Sequence, residues 1–492
     1  MLKLFILAIL FTGCSHNLHL LSKSDSISRL QKELDLIFSD PSIGNALCGV
    51  AIKSLATGEI VYFRNARKAF VPGSNLKLFT TAAALQELGP LYQFHTDLYR
   101  DGNLEKNGIL NGDLILLGTG DPSISAGFHQ GNSIAVFENF CDSLKRRGVK
   151  EISGRIIGDD NYFDDEILGA GWAWDYQSDY YAAQISALSL NDNCLDLLIT
   201  PGDSAGALAG ISTIPATDYV QIENKLITVP EGKTKINVHR IRKENKIICS
   251  GTIASDQKEV QEAVTVENPT LYSAFVFREM LERRGIAVHG EATDIDDLHD
   301  FNYSRESTTR VAQYNSPPLR EIITTTLKES KNLYAELLLR TLGKESTGVG
   351  NAAAGIKTTC KVLTGMGIDT TQISIKDGSG LSRKDFITPM SVVTLLTFMS
   401  RHSFAKIFYE SLPIAGTDGT LQRRMLGTAA AGNVHAKTGT LDFVKALSGY
   451  VTSRDGEQFV FSILINNYKV SHSIANRIQD TMCERLANFV RR

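Results

Sequence analysis

Three short groups of residues carry side chains whose types and spacing suit acyl-transfer chemistry. Ser74-Asn75-Leu76-Lys77 sets a hydroxyl and an amine three positions apart, just after Pro72-Gly73. Proline and glycine mark a helix start there, and on a helix residues i and i+3 share a face, so the Lys77 amine reaches the Ser74 hydroxyl. Ser330-Lys331-Asn332 opens a second helical region, and Lys437-Thr438-Gly439-Thr440 begins an expected strand.

A serine hydroxyl is a poor nucleophile without a base, and an ammonium cannot act as one. Burial, together with a second cation for which Lys437 is the candidate, lowers the Lys77 pKa toward the working range. The helix start offers the backbone N–H of Ser74 to a developing oxyanion, and an edge-strand N–H at Thr440 supplies the second donor. Ser330 is placed to relay a proton to the leaving amine. Asn332 is placed to hold a substrate's peptide backbone or to orient Lys77. Lys437 and Thr438 suit a free carboxylate, with Gly439 allowing close backbone approach. A cation at that end selects a C-terminal residue.

Each motif alone is weak. Ser74 as a plain helix cap beside a surface Lys77 is the ordinary reading of the first, helix capping that of the second, and a solvated strand-end lysine that of the third. Their order and their local structure are what carry the chemical reading. Asp377-Gly378-Ser379-Gly380 has the glycine spacing of a tight turn, and its expected role is structural.

The elements that must position these groups are legible in outline. Leu47 to Phe63 alternates apolar and polar residues about Thr57-Gly58, a hairpin, and a helix runs from Ser74 to Leu88 before Gly89-Pro90. From Tyr92 to Asp300 the texture changes to short β-like segments and Gly/Asp turns, with one clear helix from Ser133 to Arg147. Helical periodicity returns from Leu319 to Leu342 and from Thr388 to Ser400. Strands Lys445 to Thr452 and Phe459 to Asn466 flank the turn Ser453-Arg454-Asp455-Gly456, and a last amphipathic helix covers Ser471 to Val490. Strands at both ends predict one sheet built from both termini and interrupted by an insert.

Composition narrows the function classes. With 492 residues and 43% hydrophobic content the chain buries a full core and exceeds one typical domain. A formal net charge of -3 provides no basic field for nucleic acid or an anionic membrane surface. After the first residues, no apolar run approaches the roughly 20 needed to span a bilayer. The start, Met1 to Cys14, has one lysine, a short apolar stretch and Thr12-Gly13-Cys14, the pattern of an export signal. Its ending resembles the bacterial lipobox, which implies lipidation at Cys14, although Phe11 stands where leucine is usual. The other six cysteines are scattered without metal-ligand spacing, so no zinc site is expected. An exported protein permits disulfides, but scattered cysteines in a large domain are more often plain buried thiols, and no pairing is read from the sequence.

The three motifs, with Ser330-Lys-Asn-Leu-Tyr-Ala-Glu336, Asp377-Gly-Ser-Gly-Leu-Ser382 and Lys437-Thr-Gly-Thr-Leu441, resemble the D-Ala-D-Ala carboxypeptidase/endopeptidase family, the class C low-molecular-mass penicillin-binding proteins. The likeness spans the chain from about Ser28 onward. It implies an α/β (α+β) transpeptidase-like domain, also found in β-lactamases, with smaller β-rich domains inserted after the nucleophile helix. The expected division is a signal peptide over 1–14, a tether over 15–27, a discontinuous catalytic domain over 28–92 and 301–492, and the insert over 93–300. It implies hydrolysis of peptidoglycan peptides through a Ser74 acyl-enzyme, reaction with β-lactams, no cofactor and no metal. It places the protein in the periplasm or cell envelope, with membrane contact only through the Cys14 anchor. A β-lactamase or esterase of the same superfamily, or an idle wall-binding lipoprotein, are the rival readings. Lys331 stands where many relatives carry aspartate or a small polar residue, and it is expected to point away with little effect. In relatives an acid of the inserted domain, near a Gly-Asp-x-x-x-Phe segment, binds the side-chain amine of diaminopimelate. The matching stretch, Gly158 to Phe163, assigns that role to Asp159, with Tyr162 and Phe163 as walls. Asp159-Asp160 and Asp164-Asp165 otherwise read as turns, and Trp172 and Trp174 as core residues.

Overall fold

The computed structural model describes residues 26–299, 303 and 307–491. Cys14, the signal segment and nearly all of the tether lie outside them. Five antiparallel strands form the sheet that carries the chemistry, in the order His435–Leu441, Val444–Thr452, Gln458–Asn466, Leu47–Ser54 and Ile60–Arg64. The N-terminal hairpin thus docks on the last strand of the chain.

Alternate residues of these strands enter two different cores, as the two-residue period of a strand requires. Ala51, Tyr450, Val460 and Leu464 pack with the helices Lys77–Leu88 and Pro389–Met399. Val50, Ile52, Leu447, Phe461 and Ile463 pack with the C-terminal helix His472–Ala487 and the helix over 26–37. Helices on both faces explain why Val444–Thr452 and Gln458–Asn466 are buried almost throughout.

Between the two halves of this sheet lies the mainly β insert. One of its sheets runs from Ala292–Asp294 through Ile156–Asp159, Leu114–Gly118 and His95–Arg100 to Thr309–Asn315. That last strand pairs with His95–Arg100, so the inserted sheet extends beyond position 300, where the sequence sets its end. The insert also holds a second long helix besides Ala135–Arg146, namely Pro269–Arg283. Its signal was present: Pro269 is the first helical residue and the Asn268 side chain accepts from Leu271 N. The helix Ala352–Gly365 likewise has its cap in Asn351, whose side chain accepts from Ala354 N.

The periodic stretch from Leu319 is two helices, Leu319–Lys328 and Asn332–Thr347. The break contains Ser330 at φ 63°, a left-handed conformation that costs a non-glycine residue free energy and marks a strained corner.

Candidate active site

Ser74 lies in a single 3-10 turn, Gly73–Leu76, that runs straight into the helix Lys77–Leu88. The turn fits tightly against the edge strand. A methyl group on Gly439 would stand 2.6 Å from Pro72 O and 3.1 Å from Ser74 N, and one on Gly73 would stand 3.2 Å from Thr440 N. Gly439 is therefore needed for space. Ser74 and Thr440 are thereby brought side by side, and both line the same cleft.

Lys77 is fully buried. Its Nζ donates to Ser74 Oγ at 2.8 Å, to Asn332 Oδ1 at 2.5 Å and to the Ser379 carbonyl at 2.9 Å. Burial pulls its pKa down to about 7, against the upward pull of the carboxylates of Asp377 and Glu336. A neutral amine keeps two N–H donors for Asn332 and Ser379 and turns its lone pair to the Ser74 hydroxyl. That is the arrangement of a general base. Asn332 is itself fixed, because its Nδ2 donates to the Tyr181 carbonyl at 2.7 Å.

Lys437 is also fully buried, and it donates to Ser330 Oγ at 2.8 Å and to the Thr438 carbonyl at 3.0 Å. Its pKa lies well below the usual lysine value, through burial first and the Lys77 charge second. The sequence expectation named burial together with Lys437 as what depresses Lys77. Burial is the cause found, and the lysine–lysine repulsion lowers Lys437.

A cleft of about 710 Å³ opens over this group. Ser74, Ser330, Asn332, Thr438 and Thr440 line it, while both lysines stand behind the wall. Thr438 Oγ1 donates to Thr420 Oγ1 at 2.7 Å. The opposite wall comes from the insert, through Tyr176, Tyr180, Tyr181 and Asp192.

The Asp377 loop is structural, as its glycines suggest, and it is also the seat of Lys77. Asp377 accepts from Gly380 N and Ser382 N, each at 2.7 Å, and from Trp172 Nε1 at 2.9 Å. Buried Glu336 accepts from Gly378 N at 3.0 Å and Ser379 N at 2.9 Å, which aims the Ser379 carbonyl at Lys77. Burial and the nearby Asp377 raise the Glu336 pKa to about 7, against the Arg340 charge. Glu336 and Ser379 lie within the quoted motifs, but their roles, like that of Tyr181 outside them, go unread because they act through backbone groups or through a neighbour.

Asp159 is not brought to the cleft. It ends the buried strand Ile156–Asp159, where Oδ1 accepts from Asn161 N at 3.0 Å and Oδ2 accepts from the Tyr303 hydroxyl. Nor are the expected walls there: Phe163 packs with Leu333, Tyr334 and Leu337, and the Tyr162 hydroxyl bonds Glu345. Asp159 is also no surface turn, being 4% exposed. Trp172 is partly buried against Asp377, but Trp174 is 73% exposed and no core residue. All six cysteines of the described residues are free thiols, and five of them are buried.

A serine at the head of a helix, a buried amine one turn on and an edge strand beside them suit a serine-type hydrolase working by acyl transfer. The chain belongs to the D-Ala-D-Ala carboxypeptidase 3 (S13) family, whose model matches residues 30–489. It is accordingly a serine-type carboxypeptidase. A D-alanyl-D-alanine carboxypeptidase of Actinomadura sp. (strain R39) is 33% identical over 476 residues, covering 94% of this chain and 85% of that protein. D-alanyl-D-alanine carboxypeptidase DacB of Haemophilus influenzae is 26% identical over 431 residues, covering 85% of each. The fold is also that of penicillin-binding protein 4 (dacB) of Haemophilus influenzae, with TM-score 0.78, 24% identity, and coverage of 94% of this chain and 99% of the other. The expected mixed α/β architecture is the one found.

Proposed function

We propose that this carboxypeptidase cleaves peptidoglycan peptides, both terminal D-Ala-D-Ala bonds and cross-links, by transferring the acyl group to Ser74 Oγ. The 2.8 Å contact between Lys77 Nζ and Ser74 Oγ carries this reading. Neutral Lys77 takes the hydroxyl proton as Ser74 attacks the carbonyl, and the N–H groups of Ser74 and Thr440 receive the oxyanion. Ser330 passes a proton to the departing amine, and water then releases the acyl group. Because Ser330 Oγ is bonded to Lys437, the proton it gives is replaced from that ammonium.

Two ammonium groups buried together are unfavourable, which makes the pocket a receptor for an anion. A C-terminal carboxylate settling on Thr438 and Thr440 restores the Lys437 charge and is held by it. β-Lactams, which present an acyl group and a carboxylate in the same relation, enter by the same route. Gel labelling with a fluorescent penicillin, lost in Ser74→Ala, together with D-Ala release from a muropeptide, tests the assignment. Labelling that survives Ser74→Ala moves the nucleophile elsewhere.

Recognition of a side-chain ammonium passes from Asp159 to Asp175. Asp175 sits between Trp174 and Tyr176 in the loop that builds the insert's wall of the cleft, and it is exposed. The other acids on that side are engaged: Asp192 by Lys331, Asp196 by Asn191 and Asp179 by Tyr181. The enzyme works in the cell envelope, tethered through Cys14. No helix among the described residues is long and apolar enough to cross a membrane.

A further inference from the structure

We propose that Lys331 and Asp192 form a positioning pair that keeps the Ser330–Asn332 corner in its working conformation. This rests on the reading of Ser74 as nucleophile given above. Lys331, expected to point away from Ser330 and Asn332 with little effect, reaches the insert. Its Nζ donates to Asp192 Oδ2 at 2.6 Å, and the other carboxylate oxygen accepts from the Tyr334 hydroxyl at 2.8 Å. Lys331 and Tyr334 straddle Asn332, so one carboxylate from the insert grips both flanks of a residue that holds the base.

The grip comes from an unusual place. Asn191, Asp192 and Asn193 stand at φ 48°, 58° and 55°, three left-handed residues in succession. Asparagine and aspartate tolerate that region through local hydrogen bonding. Here Asn193 Oδ1 accepts from Leu190 N at 3.2 Å and Asn193 Nδ2 donates to the Gln184 carbonyl at 2.8 Å. The loop is therefore a rigid mount for Asp192. Opposite it, Ser330 holds φ 63° without such side-chain support of its own backbone. The sequence on either side of Ser330 has continuous helical periodicity, so the relaxed alternative is a single helix through 329–331. That helix would carry Ser330 Oγ off Lys437 and Asn332 Oδ1 off Lys77.

Burial alone would lower the Lys331 pKa, but Asp192 and Glu329 raise it above the usual lysine value, so Lys331 stays charged throughout the neutral range. Both side chains are about a quarter exposed, and a plain surface pair of this kind would contribute little. The distinction is experimental. The acylation rate constant and the dissociation constant for penicillin are measured separately in the full chain, with Lys331→Met, Asp192→Asn, the double variant and Lys331→Arg. Asparagine keeps the left-handed backbone and an acceptor for Tyr334.

Each single change should slow acylation about tenfold, with the dissociation constant moved less than about threefold, because misplacement of the base acts on the chemical step. The double variant should be no slower than the worse single one, the signature of two residues acting as a unit. Lys331→Arg should retain most of the rate. Unchanged rates in Lys331→Met, losses that multiply in the double variant, or a loss confined to binding would each overturn the proposal. If Asp192→Asn does not fold, the contrast between Lys331→Met and Lys331→Arg decides alone. A parent protein that is never acylated at Ser74 would instead sink the functional reading.

Discussion

Lys77 Nζ and Asn332 Oδ1 lie 2.5 Å apart although 255 positions separate them in the chain. This contact joins the nucleophile helix to the second motif, and it sets the direction of the Lys77 lone pair. Every role given to Ser74 depends on it.

With the Lys77 pKa near 7, the sign of the pH dependence follows directly. Below that value the amine is protonated and cannot take the Ser74 proton; above it the base is free. The penicillin acylation rate should therefore climb as pH rises through about 7 and then level. Lys77→Ala should lower it by at least about a hundredfold. A flat profile from pH 5 to 9 would transfer the base role to another group.

Lys437→Ala should cost a peptide with a free C-terminal carboxylate at least about tenfold more in kcat/KM than the same peptide amidated. The warrant is a charge-assisted contact in a desolvated pocket. Equal losses on the two peptides would leave Lys437 only its link to Ser330.

Two aspartates separate by assay. Asp175→Asn should erase any preference for a free side-chain amine over its acetylated form, a discrimination of about 1–3 kcal/mol, and leave the melting temperature unchanged. Asp159→Asn should do the reverse, lowering the melting temperature through its bond to Tyr303 and leaving the preference intact. Loss of the preference in Asp159→Asn would restore the reading made from sequence.

Glu336→Leu should be among the most damaging single changes outside the cleft wall. It leaves the Gly378 and Ser379 amides without their acceptor and strips Arg340, 1% exposed, of a partner at 3.8 Å. Breaking a buried pair from one side costs about 3–5 kcal/mol, and thermal unfolding measures it. Acylation should slow too, as the Ser379 carbonyl shifts from Lys77.

The candidate catalytic groups were legible because the chemistry demands side chains at fixed spacing on regular elements. Ser74 and Lys77 share one helical face, and Lys437 and Thr440 share one edge strand. What stayed hidden depends on where segments meet. Asp159 matched a motif by order along the chain, yet its direction is set by the sheet that closes over it. Trp174 follows Trp172 by two positions in a loop, where no period dictates a common face. Ser330-Lys331-Asn332 marked a helix start, but the left-handed corner at Ser330 could not be read from periodicity, because the apolar pattern carries on across it. The strand Thr309–Asn315 belongs with His95–Arg100 through pairing that spans the whole insert.

The central sheet places the strand Leu47–Ser54 beside Gln458–Asn466, and the edge strand with Lys437, two places further along that sheet, packs directly on the Ser74 turn. A growing polypeptide therefore carries Ser74 and Lys77 early but has no cation pocket and no Thr440 donor until its last strands have left the ribosome. Contacts so distant in sequence form slowly. Synthesis from one end thus acts as a timer: a nascent or truncated chain stays inert, and the power to cut the wall arrives only with the final fifty residues or so.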